Sequence, residues 1–143
     1  SEQGGAFFHE GHAGRGTAVG DLDDDGSPDI VTVNLNDPVR ILRNRKAPEN
    51  YVSVQLRARK GDPDAIGARV TTRFAGRSLV RFVVRGAGFF SHFDPRIIFP
   101  TDPSATHVDA HVEWPAGGRE SFRDLAVRQS HLLIEGRGET FDE

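Results

Sequence analysis

Residues 21–34 read DLDDDGSPDIVTVN, with carboxylates at Asp21, Asp23, Asp25 and Asp29 and a glycine at Gly26. Like charges this close repel, so a compact loop holds them only if they point into water or surround a cation. A calcium loop takes hard oxygens from its positions 1, 3, 5, 7 and 9, with glycine at 6 where the chain turns most sharply. Here those ligand positions are Asp21, Asp23, Asp25, Ser27 and Asp29, and the turn falls on Gly26. An EF-hand also needs a bidentate glutamate at position 12 and a helix on either side. Position 12 is Thr32, and the chain continues as the β-branched run IVTV. A loop that leads into a strand sets the expectation of an all-β chain with a Ca²⁺ site. The plainer alternative is an acidic surface turn, for which one Asp and one Gly suffice.

Working outward, 1–20 is glycine-rich, and its one apolar run, TAV, leads into the loop. DIVTVN and VRILRN, separated by LNDP, read as a hairpin. RKAPEN, residues 45–50, is polar and carries a proline, which places a boundary between a first unit at 1–45 and a second at 46–143. The second unit holds the strand candidates YVSVQLRA, ARVTTRF, SLVRFVVR, FFSHF, RIIF, HVDAHVEW and HLLIEG, divided by Gly- and Pro-rich turns. Only FRDLAVR, residues 122–128, suits a helical turn. Many short strands with turn residues between them indicate a sandwich or barrel.

Composition narrows the function classes. A net charge of −3 disfavours nucleic acid as a partner, and no apolar run approaches the roughly 18 residues of a membrane-spanning helix. The chain has no cysteine, so thiolate nucleophiles and cysteine-ligated metals are excluded. It starts at Ser1 and contains no methionine, which suggests a processed product or an excised piece. The arginine bias among the 18 basic residues, with Lys46 and Lys60 the lysines, carries no functional inference.

The stretch GRGTAVGDLDDDGSPDIVTVN with the following ILRN resembles the last calcium-binding FG-GAP (VCBS) repeat of the cartilage acidic protein family. The remainder is similar to the ASPIC and UnbV domain that follows such repeats, through YVSVQLRARKGDPDAIGARVTTRFAGR, RGAGFFSH, VDAHVEWPAGGRE and LLIEG. The likeness runs from about Gly14 to Gly136. It implies a β-sandwich or barrel-like domain preceded by one propeller-blade-like unit, since a single blade cannot close a propeller. It also implies a secreted or periplasmic, calcium-binding, non-enzymatic module of recognition or adhesion, with a protein or glycan partner. A second implication, from UnbV-type proteins, is an accessory role in enediyne natural-product biosynthesis, with a hydrophobic small molecule bound. A third is assembly through the exposed edge of the orphan blade, giving a homo-oligomer. RIIFPTDPSATHVD, residues 96–109, departs from the family's Gly-Leu-Gly turn.

Other constellations read as structural. HVDAHVEW alternates, so His107, Asp109, His111 and Glu113 share one strand face. That face could ligate a transition metal, but the same alternation marks any half-buried strand. His9 and His12 are three apart and flank a glycine, against the i, i+4 helical spacing of a zinc motif. Ser91 and His92 are adjacent and point to opposite sides of a strand. No nucleophile elbow, P-loop or dinucleotide fingerprint occurs, and no catalytic residues are assigned. Arg69 and Arg73, with Arg81 and Arg85 on the next strand, would form a cationic stripe if the hairpin paired in register. Phe74, Phe82, Phe89, Phe90, Phe93 and Phe99 are expected in the core.

Overall fold

The computed structural model describes residues 5–46, 48–86, 88 and 91–141. Eleven strands follow a 3₁₀ turn at Ala6–His9: β1 Gly14–Gly20, β2 Asp29–Asn34, β3 Asp37–Leu42, β4 Tyr51–Arg57, β5 Arg69–Phe74, β6 Arg77–Phe82, β7 Ile97–Pro100, β8 His107–Glu113, β9 Arg119–Ala126, β10 Ser130–Ile134 and β11 Glu139–Thr140. They form three sheets, ordered β1-β2-β3, β10-β4-β7 and β11-β9-β8-β5-β6. None closes into a barrel, so of the two expected forms the sandwich-like one is adopted.

The core lies between the second and third sheets. Val52, Val54 and Leu56 alternate along β4 and meet Val70 of β5, Ala110 and Val112 of β8, Phe99 of β7 and Leu133 of β10. Period two along each strand delivers these side chains to one face. β4 is central in its sheet and pairs in parallel with β10, Ser53 opposite Ser130. Its reverse face is buried too, because Tyr51 and Ser53 are covered. Buried carboxylates secure two turns. Glu120 accepts from the amides of Gly136 and Gly138 at 2.7 and 2.8 Å, and Glu135 from those of Arg59 and Lys60.

Several expectations are corrected. FRDLAVR is not helical: residues 119–126 form β9, paired with β8 so that Leu125 sits opposite Val108 and Phe122 opposite Ala110. The register slips between Val108 and Ala110, Asp124 takes φ 60°, and its amide donates to Asp109 Oδ1 at 3.0 Å. Pairing with a neighbour outweighs the weak helical preference of Arg, Leu and Ala.

The cationic stripe does not form. The β5–β6 hairpin turns through Ala75 and Gly76, φ 49° and 73°, as a two-residue loop with positive φ at both positions. That turn sets Arg69 opposite Phe82, Arg73 opposite Ser78 and Arg81 opposite Val70. Arg81 therefore shares the Val70 face, whereas Arg69 and Arg73 occupy the other. Arg85 instead pairs with Asp64 and Arg69 with Glu113.

The same register exposes Phe82 on the outer face at 57%, against its expected burial. Phe99 is fully buried, Phe74 and Phe93 are half-buried, and Phe89 and Phe90 lie outside the described residues. FFSHF yields no named strand among its described residues; Ser91 makes an isolated bridge to Gly88. The proline-rich turn after β7 is fixed by Asn50, whose Nδ2 donates to the carbonyls of Asp102 and Ala105.

Candidate metal centre at the acidic loop

The loop joins β1 to β2 and is wired by its own carboxylates. Asp21 Oδ1 accepts from the Asp25 amide at 3.1 Å and Oδ2 from the Gly26 amide at 2.9 Å. Asp29 Oδ2 accepts from the Leu22 amide at 3.2 Å, and Oδ1 from the Asn44 amide at 2.7 Å, tying the loop to the chain after β3. Asp25 Oδ1 accepts from the Ser27 amide at 2.8 Å, and Ser27 Oγ donates to the Lys46 carbonyl at 3.3 Å. Asp21, Ser27 and Asp29 are buried, and Asp23 is exposed.

Three of the five sequence-predicted ligands converge. One oxygen each from Asp21, Asp23 and Asp29 lies within 4.8 Å of the others, the one such group of three or more potential metal-ligating side chains among the described residues. Asp25 stands outside that group, bonded to Ser27. Oxygens at 2.3–2.6 Å from a central Ca²⁺ are separated by no more than about twice that length, so the cluster matches the ion's span. Each ionised carboxylate has about four acceptor sites, so Asp21 and Asp29 keep lone pairs beyond their amide bonds. Hard oxygens alone suit calcium rather than a soft or imidazole-seeking metal. Arg43 contacts Asp23 and partly offsets the charge. The fit is positive: Asp21, Asp23 and Asp29 are the residues that would hold the ion.

Tyr51 of β4 and the segment that precedes β7 brace this loop. The Tyr51 hydroxyl donates to the Asp24 carbonyl at 2.6 Å. Burial, then the Asp21, Asp24 and Asp25 carboxylates, raise the phenol's pKa above its usual value. Arg96 reaches the Asp21 carbonyl and the Asp24 carboxylate and chelates Asp94 through Nε at 3.0 and 2.9 Å. Burial alone would raise the Asp94 pKa, but the side-chain and backbone hydrogen bonds from Arg96 outweigh it and hold it below the ordinary range. Bonding to Asp94 and Asp24 outweighs desolvation to raise that of Arg96. The Asp94 amide donates to the Val19 carbonyl at 2.9 Å, and Ser91 Oγ accepts from the Thr17 amide at 2.8 Å. Segment 91–96 thereby lies along β1. Gly20 permits the approach, since a Cβ there would sit 2.8 Å from the Asp94 Cβ.

Sequence reading missed Tyr51, Asp94, Arg96 and Asn44 as loop partners. Asp-Pro-x after Phe93 is a recognisable turn, but its contact with a loop some 75 residues away has no local trace. An Arg96→Ala variant is expected to lose about 2 kcal/mol in urea denaturation, the scale of hydrogen bonds to charged groups. An unchanged midpoint would show that the brace contributes nothing.

The other candidates form no group of three potential metal ligands among the described residues. Val108, Ala110, Val112 and Trp114 face inward, and His107, Asp109 and His111 are exposed. His111 Nδ1 meets Ser121 Oγ at 2.9 Å and its ring packs edge-on against Phe141. His12 stacks on Phe7 at 4.1 Å between centroids.

Compared with known families, residues 58–140 match the model described as ASPIC and UnbV. That stretch contains β5 through β11 and excludes the acidic loop. No curated protein matches the chain.

Proposed function

The chain belongs to the ASPIC and UnbV family, and from that premise we propose that it is a calcium-stabilised, non-enzymatic recognition module that works outside the cytoplasm. The β1–β3 sheet with its loop is, in this reading, a calcium repeat of the FG-GAP (VCBS) type set ahead of the sandwich. The observation that carries the proposal is the convergence of Asp21, Asp23 and Asp29 oxygens within 4.8 Å. Ca²⁺ there offsets mutual repulsion and links the ends of β1 and β2, a structural rather than catalytic role. Extracellular calcium modules bind at about 10⁻⁴ to 10⁻³ M, a range that the outside of a cell supplies.

Thermal unfolding with calcium and with chelator tests this, using wild type beside Asp23→Ala. Asp23 is the informative position because no loop amide bonds to it, so its loss removes a ligand and spares the wiring. Calcium at about a hundredfold excess over its dissociation constant stabilises the folded state by about 2.7 kcal/mol. For a chain of this size that raises the midpoint by about 5–10 °C. Asp23→Ala abolishes most of that rise and, in chelator, costs less than about 1 kcal/mol, as expected for an exposed pair with Arg43. A midpoint that neither chelation nor substitution moves would defeat the proposal.

A further inference from the structure

Between the acidic loop, the residues Asn44, Lys46 and Pro48, β6 and the 93–98 segment lies a cleft of about 580 Å³, within the 300–1,000 Å³ range of small-molecule sites. Its walls include Phe82, Val84, Phe93 and Pro95. Phe82, the last residue of edge strand β6, and Val84 just beyond it are 57% and 67% exposed, large apolar side chains left in water. Three cations border the same space, Lys46, Arg81 and Arg96, the last of them paired with Asp94. β6 is the edge strand of its sheet, so Arg81 on its inner face and Phe82 on its outer face both line the cleft.

The charges in this cleft are unevenly matched. Arg81 donates to the neighbouring Val80 carbonyl, and neither Arg81 nor Lys46 has an ion pair among the described residues. The bordering carboxylates are engaged elsewhere, Asp94 by Arg96 and Asp21 by the Asp25 and Gly26 amides. A surface with exposed apolar walls and two cations lacking counterions is complementary to a molecule with an apolar body and one anionic group. We infer that this cleft binds a small amphipathic anion of the medium-chain or aromatic carboxylate class, with its body against Phe82, Val84 and Phe93 and its charge between Arg81 and Lys46. The inference makes no use of the metal and stands whether or not the loop binds calcium.

Titration calorimetry on the full chain with decanoate tests it, with decanol as the uncharged comparison. The expected result is saturable binding of one decanoate per chain, with decanol about tenfold weaker, because an unpaired charge in a partly shielded site discriminates strongly. Arg81→Gln weakens decanoate by about tenfold and Lys46→Gln by about threefold. Val84→Glu, at an exposed position that a charged side chain tolerates, abolishes binding by adding a carboxylate to the wall. Circular dichroism verifies that each variant is folded; should Arg81→Gln not fold, Lys46→Gln and Val84→Glu decide. Absence of saturable decanoate binding overturns the inference, and so does equal binding of decanoate and decanol. Binding that survives Val84→Glu and both cation substitutions places the ligand elsewhere and overturns it as well.

Discussion

Gly26→Ala is expected to lose about 2–5 kcal/mol and to unfold at markedly lower urea. Two independent effects add at this position. Gly26 has φ +85°, where an L-residue costs about 1–2 kcal/mol. A Cβ there would lie 2.3 Å from Cδ1 of Tyr51, far inside contact distance, and overpacking typically costs about 1–3 kcal/mol. The ring cannot easily withdraw, because it is buried and its hydroxyl is bonded to the Asp24 carbonyl. Shortening Tyr51 to Ala in the Gly26→Ala background is therefore expected to cost less than the same change in wild type, a coupling that a double-mutant cycle reads directly. A Gly26→Ala protein within about 0.5 kcal/mol of wild type would mean that loop and ring do not pack together.

Asp29→Ala is expected to cost about 3 kcal/mol even with calcium removed. Asp29 is 1% exposed and accepts from the amides of Leu22 and Asn44. Truncation strands two backbone donors, and each buried donor left unsatisfied costs about 1–3 kcal/mol. Asp29→Asn keeps one acceptor but presents an NH₂ to the other amide, so it is expected to recover only part of the loss. In chelator, Asp23→Ala stays close to wild type where Asp29→Ala does not, which separates the wiring of the loop from its charge. If Asp29→Ala were as mild as Asp23→Ala under those conditions, the buried carboxylate would not be organising the loop. Asp21 has the same double role, accepting two amides while facing the same gap.

Much of the architecture was legible locally. The alternation in HVDAHVEW assigns Val108, Ala110, Val112 and Trp114 to one face, and the structure sets that face inward. YVSVQLRA likewise becomes β4. The spacing in the acidic loop marks Asp21, Asp23, Asp25, Ser27 and Asp29 without any fold, and the structure brings Asp21, Asp23 and Asp29 of these together while Asp25 accepts from the Ser27 amide. What stayed hidden depended on partners. FRDLAVR has no strong preference of its own and becomes a strand because β8 offers a free edge. Phe82 carries an apolar side chain, yet register turns it outward.

The loop illustrates the division most clearly. Charge and spacing over nine residues are a property of the chain and define where a divalent cation would fit. Whether that loop is rigid depends on Tyr51 and Arg96, separated from it by roughly 30 and 75 residues of sequence. Their distance from the loop in space is set by β4 stacking its reverse face beneath Gly26 and by the 91–96 segment running along β1. The faces of Arg69 and Arg81 were decided in the same way, by a two-residue turn at Ala75 and Gly76 whose register sends neighbouring arginines to opposite sides of one sheet. Short-range chemistry is written in consecutive residues, whereas burial and charge pairing arise only once distant strands choose their neighbours.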